Sequence, residues 1–191
     1  MDRCDSAGRP EGGDATGLIK PIVLVGLMGA GKSAVGRRLA QALAIDFVDS
    51  DAEIEHAAGM SIADIFQIYG EGEFRDVERR VIGRLIDEHH GVIALGGGAF
   101  VDPLTRARTR ERTVTIWLQA DLKTLVERTS RRPGKRPLLS KGDPSRILAD
   151  LMAKREPVYA QAHGTVRTGD EPIERVVERV LATARNLGAV H

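Results

Sequence analysis

Short apolar runs alternate along the chain with longer segments in which apolar residues recur every three or four positions. The runs Ile22–Val25, Phe47–Val48, Val92–Leu95, Val114–Leu118 and Thr165–Val166 are bounded by turn residues. That pattern fits strands buried on both faces of a parallel sheet. Between and after them, Ser33–Leu43, Glu73–His89, Asp121–Thr129, Ser145–Ala162 and Pro172–Leu187 carry helix formers at amphipathic spacing. Ser61, with Asp64 three residues on, resembles a capping box and predicts the start of another helix. Strand–helix alternation of this kind predicts one α/β domain over residues 19–191, an open sheet with crossover helices. The stretch Ser130–Pro144 holds three Pro, two Gly and five basic residues, and it reads as a mobile loop.

Composition narrows the classes of function. Lys and Arg number 28 against 27 Asp and Glu, a formal charge of +1, so affinity for phosphate must come from a local site rather than a global field. Arg106, Arg108, Arg110 and Arg112 recur before the fourth apolar run, yet only 4% of residues are aromatic. Without aromatic stacking platforms the cluster reads as a solvated helix end, and no nucleic-acid partner is expected. No run approaches the ~18 apolar residues of a membrane span. Residues 1–18 lack a signal-peptide core and read as a solvated, flexible tail, which places the protein in the cytoplasm. Cys4 is the single cysteine, which excludes an intramolecular disulfide. The five histidines show no metal-ligand spacing.

The strongest chemical signal is GLMGAGKS at Gly26–Ser33, a full match to GxxxxGK(S/T). It follows the first apolar run and opens the first helical segment, the context that makes the motif a P-loop. Gly29 and Gly31 let the backbone wrap phosphate oxygens, and with Ala30 and Ala34 they expose amides at a helix N-terminus, an anion site. Lys32 supplies a point charge to the β- and γ-phosphates, and the Ser33 hydroxyl is a ligand for Mg²⁺. A P-loop alone does not distinguish a GTPase, a motor ATPase and a small-molecule kinase. No NKxD guanine-reading segment is present.

FVDSD at Phe47–Asp51 closes the second apolar run. Alternation along an extended segment points Asp49 and Asp51 to one side, where they can hold a hydrated metal ion and a substrate hydroxyl. The plainer reading is a solvated turn in which Ser50 or Asp51 caps the next helix. In GEFRDVE at Gly72–Glu78, Arg75 and Glu78 share a helix face, which is commonly a surface ion pair. Gly96-Gly-Gly98 ends the third run and is either a tight turn or a backbone surface open to a ligand.

GLMGAGKS, FVDSD, GEFRDVE, GGG, RPLL at Arg136–Leu139 and KREPVY at Lys154–Tyr159, in this order and spacing, resemble shikimate kinase from about Pro21 to the C-terminus. The resemblance implies a P-loop kinase fold, a five-stranded parallel sheet of order 2-3-1-4-5 with a mobile lid at about residues 130–142. It implies phosphorylation of the 3-hydroxyl of shikimate by ATP with Mg²⁺, by a monomeric enzyme. Asp51 is then similar to the family's carboxylate at the attacking hydroxyl, and Asp49 to its partner near the metal. Arg75 and Arg155 would grip the substrate carboxylate, with Glu78 holding Arg75 and Gly97 meeting the substrate through its backbone. Arg136 would close over the ATP phosphates and Arg128 would contact the adenine, which makes Lys32, Asp51 and Arg136 the catalytic set. Ala34 stands where the family often has Thr. Two rivals remain: a gluconate kinase, which needs a differently built acceptor site, and a nucleotide-dependent regulatory module, which needs no acceptor carboxylate.

Overall fold

The computed structural model describes residues 17–130 and 142–191; Arg136 and nearly all of the expected lid lie outside them. Five parallel strands form one sheet: β1 (Ile22–Val25), β2 (Asp46–Asp49), β3 (Gly91–Ala94), β4 (Val114–Ala120) and β5 (Gly164–Thr168), in the order β2-β3-β1-β4-β5. The central strand β1 pairs with β3 from Ile22 opposite Val92 and with β4 from Ile22 opposite Val114. All residues of β1 and β3 are buried, because neighbours cover both their faces. The edge strands β2 and β5 keep exposed positions, so the double-sided burial read from the apolar runs applies to the inner strands.

The helices are α1 (Lys32–Leu43), α2 (Ser50–Ala58), α3 (Ile62–Ile68), α4 (Gly70–Glu88), α5 (Pro103–Arg112), α6 (Leu122–Ser130), α7 (Pro144–Tyr159) and α8 (Ile173–Asn186), with a 3-10 turn at Ala99–Val101. Helix α1 lies against α8 and crosses β2 where Gly36 meets Phe47; a Cβ at Gly36 would sit 2.5 Å from the Phe47 ring. The α3 start is as expected, since the Ser61 side chain accepts from the Asp64 amide at 3.1 Å. Helix α5 has little apolar periodicity, and its start is set by Asp102, whose side chain accepts from the Thr105 amide at 2.8 Å, with Pro103 in the first turn. The arginine cluster lies on α5 and is more than a solvated end. Arg106 donates to the Phe100 and Val101 carbonyls, and Arg108 pairs with Asp87 on α4.

The first described residues lie beside the C-terminus. Leu18 forms an antiparallel bridge with Val190, and His191 donates its amide to the Gly17 carbonyl at 2.9 Å. Gly17 and Leu18, placed in the tail by the sequence reading, therefore pair with the backbone that follows α8; residues 1–16 lie outside the described residues. No described helix is long and apolar enough to cross a membrane.

Parallel register brings the carboxyl ends of all five strands to one edge of the sheet. There β1 leads into the Gly26–Gly31 loop, β2 into α2, β3 into Gly96–Gly98 and β5 into Gly169. Open α/β sheets place their ligands in the crevice at that edge.

Candidate active site

The loop after β1 turns through Gly29 at φ 86° and Gly31 at φ 95°, a left-handed region that L side chains rarely enter. Gly31 caps α1, so the helix amides open toward the loop. The Lys32 Nζ folds over the loop and donates to Gly26 O at 2.7 Å and Leu27 O at 3.1 Å. From the far side Thr168, at the end of β5, donates to Ala30 O at 3.3 Å. Arg128 on α6 donates to Gly29 O at 3.4 Å and to Gly169 O at 2.5 Å, which ties the loop to the turn after β5. These groups line a cleft of about 460 Å³ that runs from Gly29–Ser33 past Asp49, Asp51 and Gly97 to Arg128 and Thr168.

Asp49 ends β2 and caps α2. Its Oδ1 accepts from the Asp51 amide at 3.0 Å, and its Oδ2 accepts from Ser33 Oγ at 2.5 Å. Neither Ser50 nor Asp51 is the cap. Asp51 stands in the first turn of α2, not in the strand, so it does not reach the cleft through strand alternation. The helix turns it there: a cap at Asp49 sets the helical path of the next residues, and Asp51 and Asp49 both line the cleft. Asp51 is half-buried, and its pKa is pushed up to about 6, first by desolvation and then by the neighbouring Asp49, against the pull of Lys32. Two oxygen donors, Ser33 Oγ and Asp49 Oδ2, converge beside the phosphate cradle, a hard-ligand pair of the sort a Mg²⁺ ion takes.

The three glycines after β3 each meet a different functional group. A Cβ at Gly96 would overlap the Asp51 carboxylate, and one at Gly98 would lie 2.8 Å from Arg75 Nη1. Gly97 turns its carbonyl to α7, where it accepts from Arg155 at 2.8 Å and from the Tyr159 hydroxyl. The triplet is thus a wall that admits side chains from α2 and α4 and turns a carbonyl to α7, which a plain tight turn does not require. Arg75 donates to Glu78 at 2.6 Å and to Glu71 at 3.2 Å. Glu78 is only 3% exposed, so the pair is no surface ion pair. Burial raises the Glu78 pKa against the attraction of Arg75, while the carboxylates outweigh burial and keep the Arg75 guanidinium charged. Arg75, Glu78, Gly98 and Arg155 line a second cavity of about 320 Å³, next to the first along the glycine wall.

The family model described as shikimate kinase matches residues 28–185. The chain belongs to the shikimate kinase family. A shikimate kinase of Paramagnetospirillum magneticum is 55% identical over 162 residues, which cover 85% of this chain and 83% of that protein. Among solved structures, a shikimate kinase from Acinetobacter baumannii in complex with shikimate superposes with a TM-score of 0.87 at 36% identity, over 91% of this chain and 97% of that one. A gluconokinase from Sinorhizobium meliloti reaches a TM-score of 0.60 at 22% identity, over 88% of this chain and 93% of that one, and shares the fold alone. The fold, with sheet order 2-3-1-4-5, is that of the P-loop kinases.

Of the residues that the motifs and the family resemblance singled out, Gly29, Ala30, Gly31, Lys32, Ser33, Ala34, Asp49, Asp51, Gly97 and Arg128 line the cleft, and Arg75 and Arg155 line the adjoining cavity. Arg136 is outside the described residues. Two structural anchors escaped the sequence reading. The Ser50 side chain, fully buried, accepts from the Gly96 amide at 2.9 Å, and Tyr159 holds Gly97. The Tyr159 ring was present in the KREPVY motif, but nothing local to that motif names its partner.

Proposed function

We propose that this protein transfers the γ-phosphoryl group of ATP to the 3-hydroxyl of shikimate, giving shikimate 3-phosphate and ADP. One observation carries the reading: the glycine wall meets Asp51 at Gly96, Arg155 at Gly97 and Arg75 at Gly98. A desolvated carboxylate therefore stands between the phosphate cradle and a cavity bearing two guanidiniums. A small acid with a hydroxyl and a carboxylate at opposite ends fits that sequence of groups. The planar guanidinium forks of Arg75 and Arg155 grip its carboxylate. Glu78 orients Arg75, and Gly97 borders the ring.

The Gly29–Ser33 amides and Lys32 hold the triphosphate, and Arg128 stands at the adenine end. Asp51 accepts a hydrogen bond from the acceptor hydroxyl and takes its proton as the oxygen bonds to the γ-phosphorus and the bond to the β-phosphate oxygen breaks. A carboxylate with a pKa near 6 is a better base than an ordinary aspartate and is still ionised at neutral pH. Lys32 stabilises charge on the transferring group. Ser33 and Asp49 would hold Mg²⁺, which when bound neutralises phosphate charge. The enzyme acts as a monomer in the cytoplasm, a compartment that a single cysteine in the sequence suits.

ADP release measured with shikimate, with gluconate and with no acceptor tests this reading. Shikimate should support turnover and the other two should not. Turnover with gluconate, or equal release without acceptor, overturns it.

A further inference from the structure

The Gly97 carbonyl has two donors on it at once, Arg155 Nη1 at 2.8 Å and the Tyr159 hydroxyl. The two side chains stand four residues apart on α7, one helical turn, and the Arg155 charge acts directly on the Tyr159 phenol. They differ in freedom. Tyr159 is 1% exposed, and its ring lies 5.9 Å from that of Trp117 on β4, so it cannot leave. Arg155 is half-buried and lines the open cavity with Arg75. When Arg155 swings its whole fork into that cavity to grip a substrate carboxylate, Nη1 leaves Gly97, and a backbone carbonyl stripped of its donors beside a filled site is unfavourable.

We propose that Tyr159 is a positioning residue for the acceptor site: by holding the Gly97 carbonyl, it releases Arg155 to bind the carboxylate. The inference rests on the shikimate reading above. A carbonyl oxygen has two lone pairs, so in the free enzyme both are filled, and after Arg155 departs one remains filled. Tyr159 also keeps Gly97 at its place in the wall, one residue from the contacts of Asp51 and Arg75. Without the hydroxyl, Arg155 is the carbonyl's only side-chain donor among the described residues, and substrate must compete with the protein's own backbone for it.

The test is Tyr159→Phe, which keeps the ring and removes the donor. The shikimate KM should rise about 3- to 10-fold, the loss of one hydrogen bond partly replaced by water, while the ATP KM moves less than about 2-fold. A role in packing alone lowers thermal stability without this split. The same substitution in an Arg155→Ala background should change the shikimate KM less than about 2-fold, since no donor then leaves Gly97 on binding. Equal changes in the two backgrounds, or a matching rise in the ATP KM, overturn the proposal. If Tyr159→Phe does not fold, 3-fluorotyrosine at the chain's two tyrosines, Tyr69 and Tyr159, supplies a stronger donor. The shikimate KM should then fall with the ATP KM constant, and no change or a parallel change overturns the idea. Absence of shikimate turnover in the wild type would instead remove the functional reading itself.

Discussion

The phosphate cradle is built from eight consecutive residues, Gly26–Ser33, whereas the acceptor wall gathers Asp51, Arg75, Gly96–Gly98 and Arg155 from four separate stretches of the chain. The cradle takes its shape chiefly from its own backbone, left-handed at Gly29 and Gly31 between a strand and a helix, with Thr168 and Arg128 added on the Ala30 and Gly29 carbonyls. The wall takes its shape from side chains that reach across the molecule: Ser50 to the Gly96 amide, Arg155 and Tyr159 to the Gly97 carbonyl. The difference teaches where each part is vulnerable. On the proposed function, a change in the cradle removes charge from the reacting phosphate, and a change in the wall moves the acceptor relative to a cradle that remains intact.

The largest expected effect is therefore in the cradle. Lys32→Ala should lower kcat by about 10²- to 10³-fold, the usual loss on removing one charged stabiliser of a transition state. The protein should stay folded, because Lys32 is not part of the buried apolar core. Steady-state kinetics with a parallel thermal melt check both parts. Near-normal kcat in a folded variant would sink the kinase assignment.

Asp51 sits where cradle and wall meet. Asp51→Asn should lower kcat about 10²-fold and change either KM far less, since it removes the charged acceptor for the hydroxyl proton. In the wild type, kcat/KM for shikimate should rise with pH through a pKa near 6, and that step should vanish in the variant. A pH profile that is the same in both proteins would place the essential base elsewhere.

Changes confined to the wall should separate the two substrates. Arg75→Ala or Arg155→Ala should raise the shikimate KM roughly 10- to 150-fold, the range expected for a charged hydrogen-bonding contact of about 1.5–3 kcal/mol. The ATP KM should stay nearly constant, and Arg→Lys should restore only part of the loss, because an ammonium cannot match the guanidinium fork. A rise in the ATP KM with shikimate unaffected would put the acceptor site in the wrong cavity.

How far the sequence disclosed these regions follows from the range of the interactions that make them. The cradle was legible in full because its signal is local. The sheet order came through the family resemblance, since periodicity alone does not say which strands are neighbours. Helix α5 lacked an apolar stripe, and the sequence reading met it only as an arginine-rich helix end, without the Asp102-Pro103 start that sets it. Asp49 and Asp51 were expected to share a strand face, but the cap at Asp49 starts α2 one residue later, and the two carboxylates meet in the cleft by a helical turn. Ser50 and Tyr159 were beyond reach: their partners lie 46 and 62 positions away, so nothing near them in the chain marks their task. Short-range chemistry is readable in a single sequence, while the supports that aim it emerge only in three dimensions.

The smallest effect expected is on stability, and it sharpens the comparison most because it has the opposite sign. Asp51 has a folded-state pKa raised to about 6 from an ordinary 3.8, chiefly by desolvation and by Asp49. A carboxylate whose pKa is raised on folding binds its proton more tightly in the native state than in the unfolded chain. It disfavours folding once the pH is high enough to ionise it, and that penalty grows as pH rises from about 4 to 6 and is complete above. Asp51→Asn carries no such penalty, so without ligands it should match the wild type near pH 4. It should be more stable than the wild type at pH 7–8, by about 1 kcal/mol after allowance for solvent at a half-buried site and for the lost attraction to Lys32. For a domain of this size 1 kcal/mol is a Tm gain of about 2–4 °C. Thermal melts of both proteins at pH 4, 6 and 8 read this directly. A variant less stable than the wild type at pH 8 would mean that Asp51 is held by favourable contacts, and that the carboxylate is part of the scaffold instead of a strained group kept for catalysis.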